Sequence, residues 1–127
     1  VATSPVFAVT PRIGSVYIAT ADSSYTAPTN VGTLIAGAST GTRIAEIVVK
    51  CAATSAAAIV RIFLYDGTSY WLFDEILVAA ATGSSTVQQT RVSTTYNNLI
   101  LPSQSWSIRV TTSVSQATHV TAFGADL

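Results

Sequence analysis

The side chains able to do acid–base or covalent chemistry are few in this chain, and their spacing does not bring them together. His119 is the only histidine and stands between Thr118 and Val120 in a strand-like run. A zinc site needs three or four nitrogen, sulfur or carboxylate ligands at suitable spacing. Nothing clusters round His119, so it reads as a surface residue or a satisfied hydrogen-bond partner. Cys51 is the one cysteine, at the end of the apolar run Ile47-Val48-Val49-Lys50-Cys51. A reactive thiol wants neighbouring cations or a helix N-terminus. Only Lys50 is near, and on a strand it points to the opposite face, so Cys51 reads as a buried free thiol. Asp74 and Glu75 are adjacent and fall on opposite strand faces, which rules them out as an acid–base pair. There is no Gly-x-Ser-x-Gly elbow. The run Gly32 to Gly37 lacks the lysine of a phosphate loop, and Asp22, Asp66 and Asp126 are too far apart in sequence to suggest a calcium site. No catalytic residue, metal ligand or cofactor site is expected, and the chain reads as a non-enzyme. The one candidate for ligand chemistry is aromatic. Tyr65, Tyr70 and Trp71 flank Asp66-Gly67 and either form a platform that stacks sugars or bases, or pack as cross-strand pairs.

The elements that carry these residues are strands. Period two dominates and period 3.6 is nearly absent. About nine short strands are predicted: Val6–Thr10, Gly14–Thr20, Thr33–Ala36, Arg43–Ala52, Ala58–Tyr65, Tyr70–Val78, Thr86–Val92, Ser105–Thr112 and His119–Gly124, with Asn98–Leu101 as a further short one. Turn clusters separate them, among them Asp22-Ser23-Ser24, Asp66-Gly67 and Tyr96-Asn97-Asn98. Short strands with turn signals every ten residues or so indicate an all-β antiparallel sandwich, jelly-roll-like, in a single domain over residues 1–127.

The hairpin round Asp66-Gly67 is the best defined piece. A two-residue loop pairs Tyr65 with Thr68 and a four-residue loop pairs Tyr65 with Tyr70; both have the same parity. Val60, Ile62 and Leu64 then share the core face with Trp71 and Phe73. The other face carries Ile59, Arg61, Phe63, Tyr65, Tyr70, Leu72 and Asp74, and Arg61 is expected to pair with Asp74. A strand apolar on both sides is buried on both sides. Either a loop or a neighbouring subunit must therefore cover Ile59, Phe63, Tyr65, Tyr70 and Leu72.

Charge is scarce. Six basic and six acidic residues balance, and charged residues are 9% of the 127, against roughly 25% in an ordinary domain. No basic cluster is visible in the sequence, which argues against a nucleic-acid partner. No polybasic or long apolar segment points to a membrane, and Val1 to Phe7 lacks the features of a signal peptide. A β-rich surface with so little charge is poorly defended against other β-surfaces, so much of it is expected to be covered. A homo-oligomer follows, with a trimer as the preferred order. Pro5 and Pro11 bracket Val6, Phe7 and Val9. Proline cannot donate a ladder hydrogen bond, so residues 1–11 read as an extended arm or edge strand that grips a neighbour.

Two stretches carry a family resemblance. One is Ile59-Val60-Arg61-Ile62-Phe63-Leu64-Tyr65-Asp66-Gly67-Thr68 followed by Leu72-Phe73-Asp74-Glu75-Ile76. The other is Leu99-Ile100-Leu101-Pro102 followed by Trp106-Ser107-Ile108-Arg109-Val110. Together with the opening Thr3-Ser4-Pro5-Val6-Phe7 and Thr10-Pro11, they resemble the small β-sandwich capsid decoration, or cement, proteins of tailed bacteriophages. Gln104-Ser105 stand where that pattern has a glycine, so the corner before the last core strands must be built differently. The resemblance implies a protein made in the host cytoplasm and placed on the virion surface, where it binds the major capsid protein, bridges neighbouring capsomers and forms symmetric oligomers without enzyme activity. It maps no functional residue. The rival reading is a receptor- or glycan-binding module of a phage tail or fibre.

Overall fold

The computed structural model describes residues 9–127, which form eight strands. They are β1 (Thr10–Ile18), β2 (Gly32–Ala36), β3 (Thr42–Cys51), β4 (Ala58–Tyr65), β5 (Tyr70–Val78), β6 (Arg91–Leu101), β7 (Ser107–Thr112) and β8 (Thr118–Asp126). One sheet has the order β1-β8-β3-β6 and the other β2-β7-β4-β5; every pairing within them is antiparallel. Each sheet interleaves early and late strands, and successive strands change sheet except β4 and β5, which form a hairpin within one sheet. This is a jelly roll, the double-sheet solution with two Greek keys.

The core is the alternation made solid. Ile47, Val49, Cys51, Leu99, Leu101, Val120 and Ala122 of the first sheet face Leu34, Ile35, Val60, Ile62, Ile76, Val78, Ile108 and Val110 of the second, all buried. Cys51 is a buried free thiol, as expected. Leu34 and Ile35 are consecutive yet both buried, because a bulge in β2 turns both inward. β1 packs onto β2 at Gly14, where a Cβ would lie 2.3 Å from the Leu34 carbonyl oxygen. Only glycine lets the two strands close this side of the sandwich.

Several expected elements are redrawn. The predicted strand Val6–Thr10 lies outside the described residues except at its end, where Val9 N–H donates to the Asp126 carbonyl at 2.9 Å. β1 starts earlier than Gly14 and carries Pro11, which is tolerated because β1 is an edge strand. The predicted strand Thr86–Val92 is mostly loop. β6 instead runs from Arg91 through Tyr96-Asn97-Asn98, the expected turn. Against β3 the register jumps there from Thr95 to Leu99 while β3 advances only from Glu46 to Ile44. The asparagines bulge out of a strand rather than end it. The same irregularity exposes Ala45 and buries Ile44, where strict alternation back from Cys51, Val49 and Ile47 would bury Ala45.

A bulge also corrects the expected ion pair. Tyr65 pairs with Tyr70, the longer-loop register, but Ile62 faces Asp74 while Phe63 faces Leu72, leaving Phe73 as the extra residue. Beyond Phe73 every β5 residue changes face. Arg61 therefore stands opposite Glu75, with Nε 3.5 Å from Glu75 Oε1, and Asp74 turns to the other side to accept a hydrogen bond from the Tyr96 hydroxyl at 2.9 Å.

One knot ties three strands of the first sheet. Asp126 on β8 accepts from Thr42 Oγ1 of β3 at 2.7 Å and pairs with Arg12 Nη1 of β1 at 2.9 Å. The Thr42 hydrogen bond first, and Arg12 with it, hold the Asp126 carboxyl below its ordinary value of 3.8. Asp22 is lowered likewise, by backbone N–H groups of Asn30, Ser24 and Thr29. Carboxylates depressed by folding stabilise the fold above their unfolded pKa, and that stabilisation is lost as pH falls through the lower folded values. The melting temperature should therefore drop as pH is taken below about 4. Asp126→Asn should melt lower at neutral pH and show a flatter acid limb, measured by circular dichroism across a pH series. An unchanged acid limb in Asp126→Asn contradicts the assignment.

Candidate interaction surfaces

The outer face of the second sheet carries the residues expected to meet a neighbour. Phe63 is fully buried, with its ring edge-on to Tyr70 at 5.9 Å and 85°, so it is not available to a partner. Ile59, Tyr65 and Tyr70 are half-buried, and Leu72 remains exposed. Part of the cover comes from the chain itself. The connection from β1 to β2 crosses this face, and Asp22 stiffens it by accepting backbone N–H groups of Ser24, Thr29 and Asn30 at 2.8–2.9 Å. Tyr25, on that connection, lies over the Arg61 guanidinium at 4.3 Å and receives a hydrogen bond from its Nη2 at 3.1 Å. Arg61 is only 6% exposed, and its Nε and Nη1, like Thr111 Oγ1 opposite it, lack hydrogen-bond partners among the described residues. The aromatic face of Tyr25 and the Glu75 carboxylate compensate the buried charge. Tyr25 had no signal in the sequence beyond being an aromatic residue in a turn-rich loop.

Tyr65, Tyr70 and Trp71 do not form one platform. Tyr65 and Tyr70 pack on each other across the hairpin at 4.4 Å, with Arg109 over the Tyr65 ring at 4.5 Å. Trp71 is on the opposite face of β5, where its Nε1–H donates to Asp66 at 3.1 Å. Asp66 also accepts the N–H groups of Thr68 and Ser69, while Gly67 supplies the positive φ that the turn requires.

The more open surface lies where β5 and β6, the outermost strands of the two sheets, come together. Trp71 is 56% exposed and Phe73 42%, not core residues as their parity suggested, because among the described residues β5 has no partner on its outer side. The Phe73 ring lies 5.5 Å from Tyr96. Leu64, Phe73, Tyr96, Asn97, Asn98, Leu99 and Ile100 line a groove of about 380 Å³. Burial first, then the hydrogen bond to Asp74 and its negative charge, push the Tyr96 phenol far above the usual tyrosine range, so it remains a neutral donor to Asp74.

A third surface was not anticipated. On the outer face of the first sheet, Ile13 stands opposite Phe123, both exposed. Beside them Arg43, Ala45, Phe123, Gly124 and Ala125 shape a shallow depression of about 390 Å³. The alternation Pro11, Ile13, Ser15, Tyr17 was the available signal. His119, on the same face, is exposed and packs on Tyr17 at 5.2 Å. Among the described residues no group of three or more His, Cys, Asp or Glu could hold a metal ion, and no helix is long and apolar enough to cross a membrane.

No family model matches the chain, and no curated protein matches it significantly. Among the solved structures that resemble it are two of infectious bursal disease virus. One is the T13 viral particle, at 16% identity and a TM-score of 0.35, covering 99% of this chain and 35% of that one. The other is the Gx strain, at 15% identity and a TM-score of 0.24, covering 94% and 38%. The chain thus spans little more than a third of the length of either viral chain.

The Tyr96–Asp74 bond joins the two sheets across the open side. Tyr96→Phe removes a hydrogen bond to a charged acceptor and should destabilise the fold by about 1.5 kcal/mol in denaturant titration, with the largest gain in hydrogen exchange in β5 and β6. No change in either measurement would make this bond incidental.

Proposed function

We propose that the chain is a non-enzymatic structural protein of a virion, one that decorates a tailed-phage capsid and stabilises it by bridging neighbouring capsomers. The observation that carries the reading is the β5 edge, unpaired among the described residues, with Trp71, Leu72, Phe73 and Leu77 exposed in a chain that is 9% charged. A long apolar sheet edge is an association hazard unless something covers it. Fold does not dictate function, but the jelly roll recurs in viral capsid domains and is compatible with this role. On a shell, apolar area buried across a joint contributes about 25 cal/mol per Å² before the costs of association and raises the work of opening the joint. The partners are the major capsid protein and further copies of this chain, arranged as a trimer on the virion exterior.

Intact particles purified from the producing host should carry the chain in stoichiometric amount, mapped to the outside by electron microscopy. Light scattering should report a trimer. Particles without the chain, or its placement inside, overturn the reading; a monomer at all concentrations, free and on particles, overturns the trimer.

The arm expected over residues 1–11 has a tighter boundary. Thr10 and Pro11 belong to β1, paired with Asp126 and Ala125, and exposed Val9 is tied to Asp126. Val6 and Phe7 lie outside the described residues. Removing residues 1–8 should leave the melting temperature nearly unchanged and weaken binding to particles or sister subunits. Undiminished binding refutes the arm, and loss of folding makes the segment an integral strand.

The β5–β6 groove favours a second reading, a glycan-binding module. An exposed aromatic ring, Phe73, stands beside the exposed asparagines 97 and 98, the pairing of apolar face and planar donors that suits a sugar. A glycan array decides: specific binding abolished by Phe73→Ala supports it, and a blank array removes it.

A further inference from the structure

The outer face of the first sheet contains a conflict of charge. Lys50 on β3 is paired in register with Arg91 on β6, and on its other side with His119 on β8, which faces Tyr17 on β1. Arg91, Lys50, His119 and Tyr17 therefore form one row across all four strands. Directly opposed side chains on neighbouring strands have Cβ atoms about 5 Å apart, and like charges there are destabilising. The chain has only six Lys and Arg residues, yet two of them face each other here.

Among the described residues no acid forms an ion pair with either cation. All six acidic side chains are engaged elsewhere: Asp22 with its loop, Asp66 with its turn, Asp74 with Tyr96, Glu75 with Arg61, Asp126 with Arg12 and Thr42, and Glu46 with the Ser93 hydroxyl. Glu46 is the nearest along the face. Its backbone lies four residues from Lys50 on β3, about 13 Å away, and its carboxylate is taken by the Ser93 hydroxyl of the intervening row, so it forms no ion pair with Lys50 or Arg91 among the described residues. The intervening row, Ser93, Val48, Thr121 and Ser15, has no charged side chain of its own. Lys50 Nζ is held by the Gln89 carbonyl at 2.8 Å, which steadies the ammonium without neutralising it. Arg91 is exposed and in no ion pair among the described residues.

We propose that this row is a docking point for an acidic protein surface, its carboxylates taken by Arg91 and Lys50. It deepens the virion reading by giving the chemistry of the covering partner, and rests on that reading only for where the partner comes from. Two observations select a protein surface over other anions. The row lies on a sheet face spanning about 10 Å from β6 to β8, away from the grooves at β5–β6 and Phe123, so it suits a broad partner rather than an enclosed small ligand. Two permanent cations are also too few to displace the counterions of a nucleic-acid strand with useful affinity. In neutral Ser, Thr and Val surroundings, two ion pairs shielded from water by a docked protein are stronger than in bulk solvent. The arginine fork suits a carboxylate.

The test uses a fluorescent glutamate homopeptide as the probe, with an oligothymidylate of equal charge and inorganic phosphate as competitors. The wild-type chain should bind the peptide, more weakly as salt rises. The double variant Lys50→Gln and Arg91→Gln should lose about tenfold or more, while Arg43→Gln on the same sheet face should bind as wild type. Equal binding by the double variant, or tighter binding of the oligothymidylate or phosphate than of the peptide, overturns the proposal. A second readout needs no ligand. Arg91→Gln should raise the melting temperature at low salt and lose that advantage at high salt, because it removes a repulsion; a lower melting temperature at low salt overturns the conflict on which the proposal stands. Absence of the chain from particles removes the virion reading without touching these outcomes, and failure of peptide binding leaves particle association standing.

Discussion

The pairing of β8 with both β1 and β3 is the constraint on which the rest of the structure depends. β8 is the last strand, yet it lies inside its sheet, with β1 on one side and β3 on the other. β8 is the strand that joins β1 to the β3–β6 pair, so without it the first sheet falls into two parts. The Asp126 carboxylate marks the end of that seat. It takes a hydroxyl from Thr42, which is fully buried, and a guanidinium from Arg12, and Thr42 in turn accepts the Ala38 N–H of the β2–β3 connection at 2.9 Å. Because strand side chains alternate with period two, a slip of one residue along β8 would turn Val120 and Ala122 outward and bring His119 and Phe123 into the core. The knot at Asp126 and the burial of Val120 hold the same register from opposite ends.

Where the chain departs from simple alternation, it does so at bulges, and this separates what could be read in the sequence from what could not. The strand periods, the core residues of β4, the buried Cys51 and the hairpin round Asp66-Gly67 were legible, because each follows from local alternation or turn chemistry. The extra residue Phe73 was not: an apolar aromatic reads the same whether it continues the ladder or bulges from it. That single residue transferred the partner of Arg61 from Asp74 to Glu75 and released Asp74 to Tyr96. Asn97-Asn98 misled in the opposite direction, since a polar pair with turn propensity sits in the middle of β6 as a bulge. Tyr25 over Arg61 joins a loop to a strand 36 residues away, and no local pattern announces such a contact.

The surfaces show the same division. Apolar residues at β4 and β5 pointed to a face needing cover, and part of that cover proved to be the β1–β2 connection. The unpaired edge at Trp71 and Phe73 became visible only from the strand order, which puts β5 outermost. The basic row was invisible for the same reason: Lys50, Arg91 and His119 are scattered in sequence and show no cluster there, and the register of three strands aligns them.

The outer face of the first sheet is therefore asymmetric in a way that bears on how a partner must sit. One half carries Ile13, Phe123 and the depression beside Ala45 and Ala125; the other carries Arg91, Lys50 and His119. The uncharged row of Ser93, Val48, Thr121 and Ser15 adjoins the basic row on the side toward the apolar half. Apolar area supplies most of the association energy but little directional information, whereas opposed charges fix orientation and reject wrong registers. A partner that buries the apolar half while rotated in the plane would leave Arg91 and Lys50 desolvated without carboxylates, an expensive arrangement for buried charge. With acidic side chains engaged within the fold, the molecule retains few charges with which to repel other surfaces. The unneutralised cations on this face thus select one orientation from the many that its apolar half alone would permit.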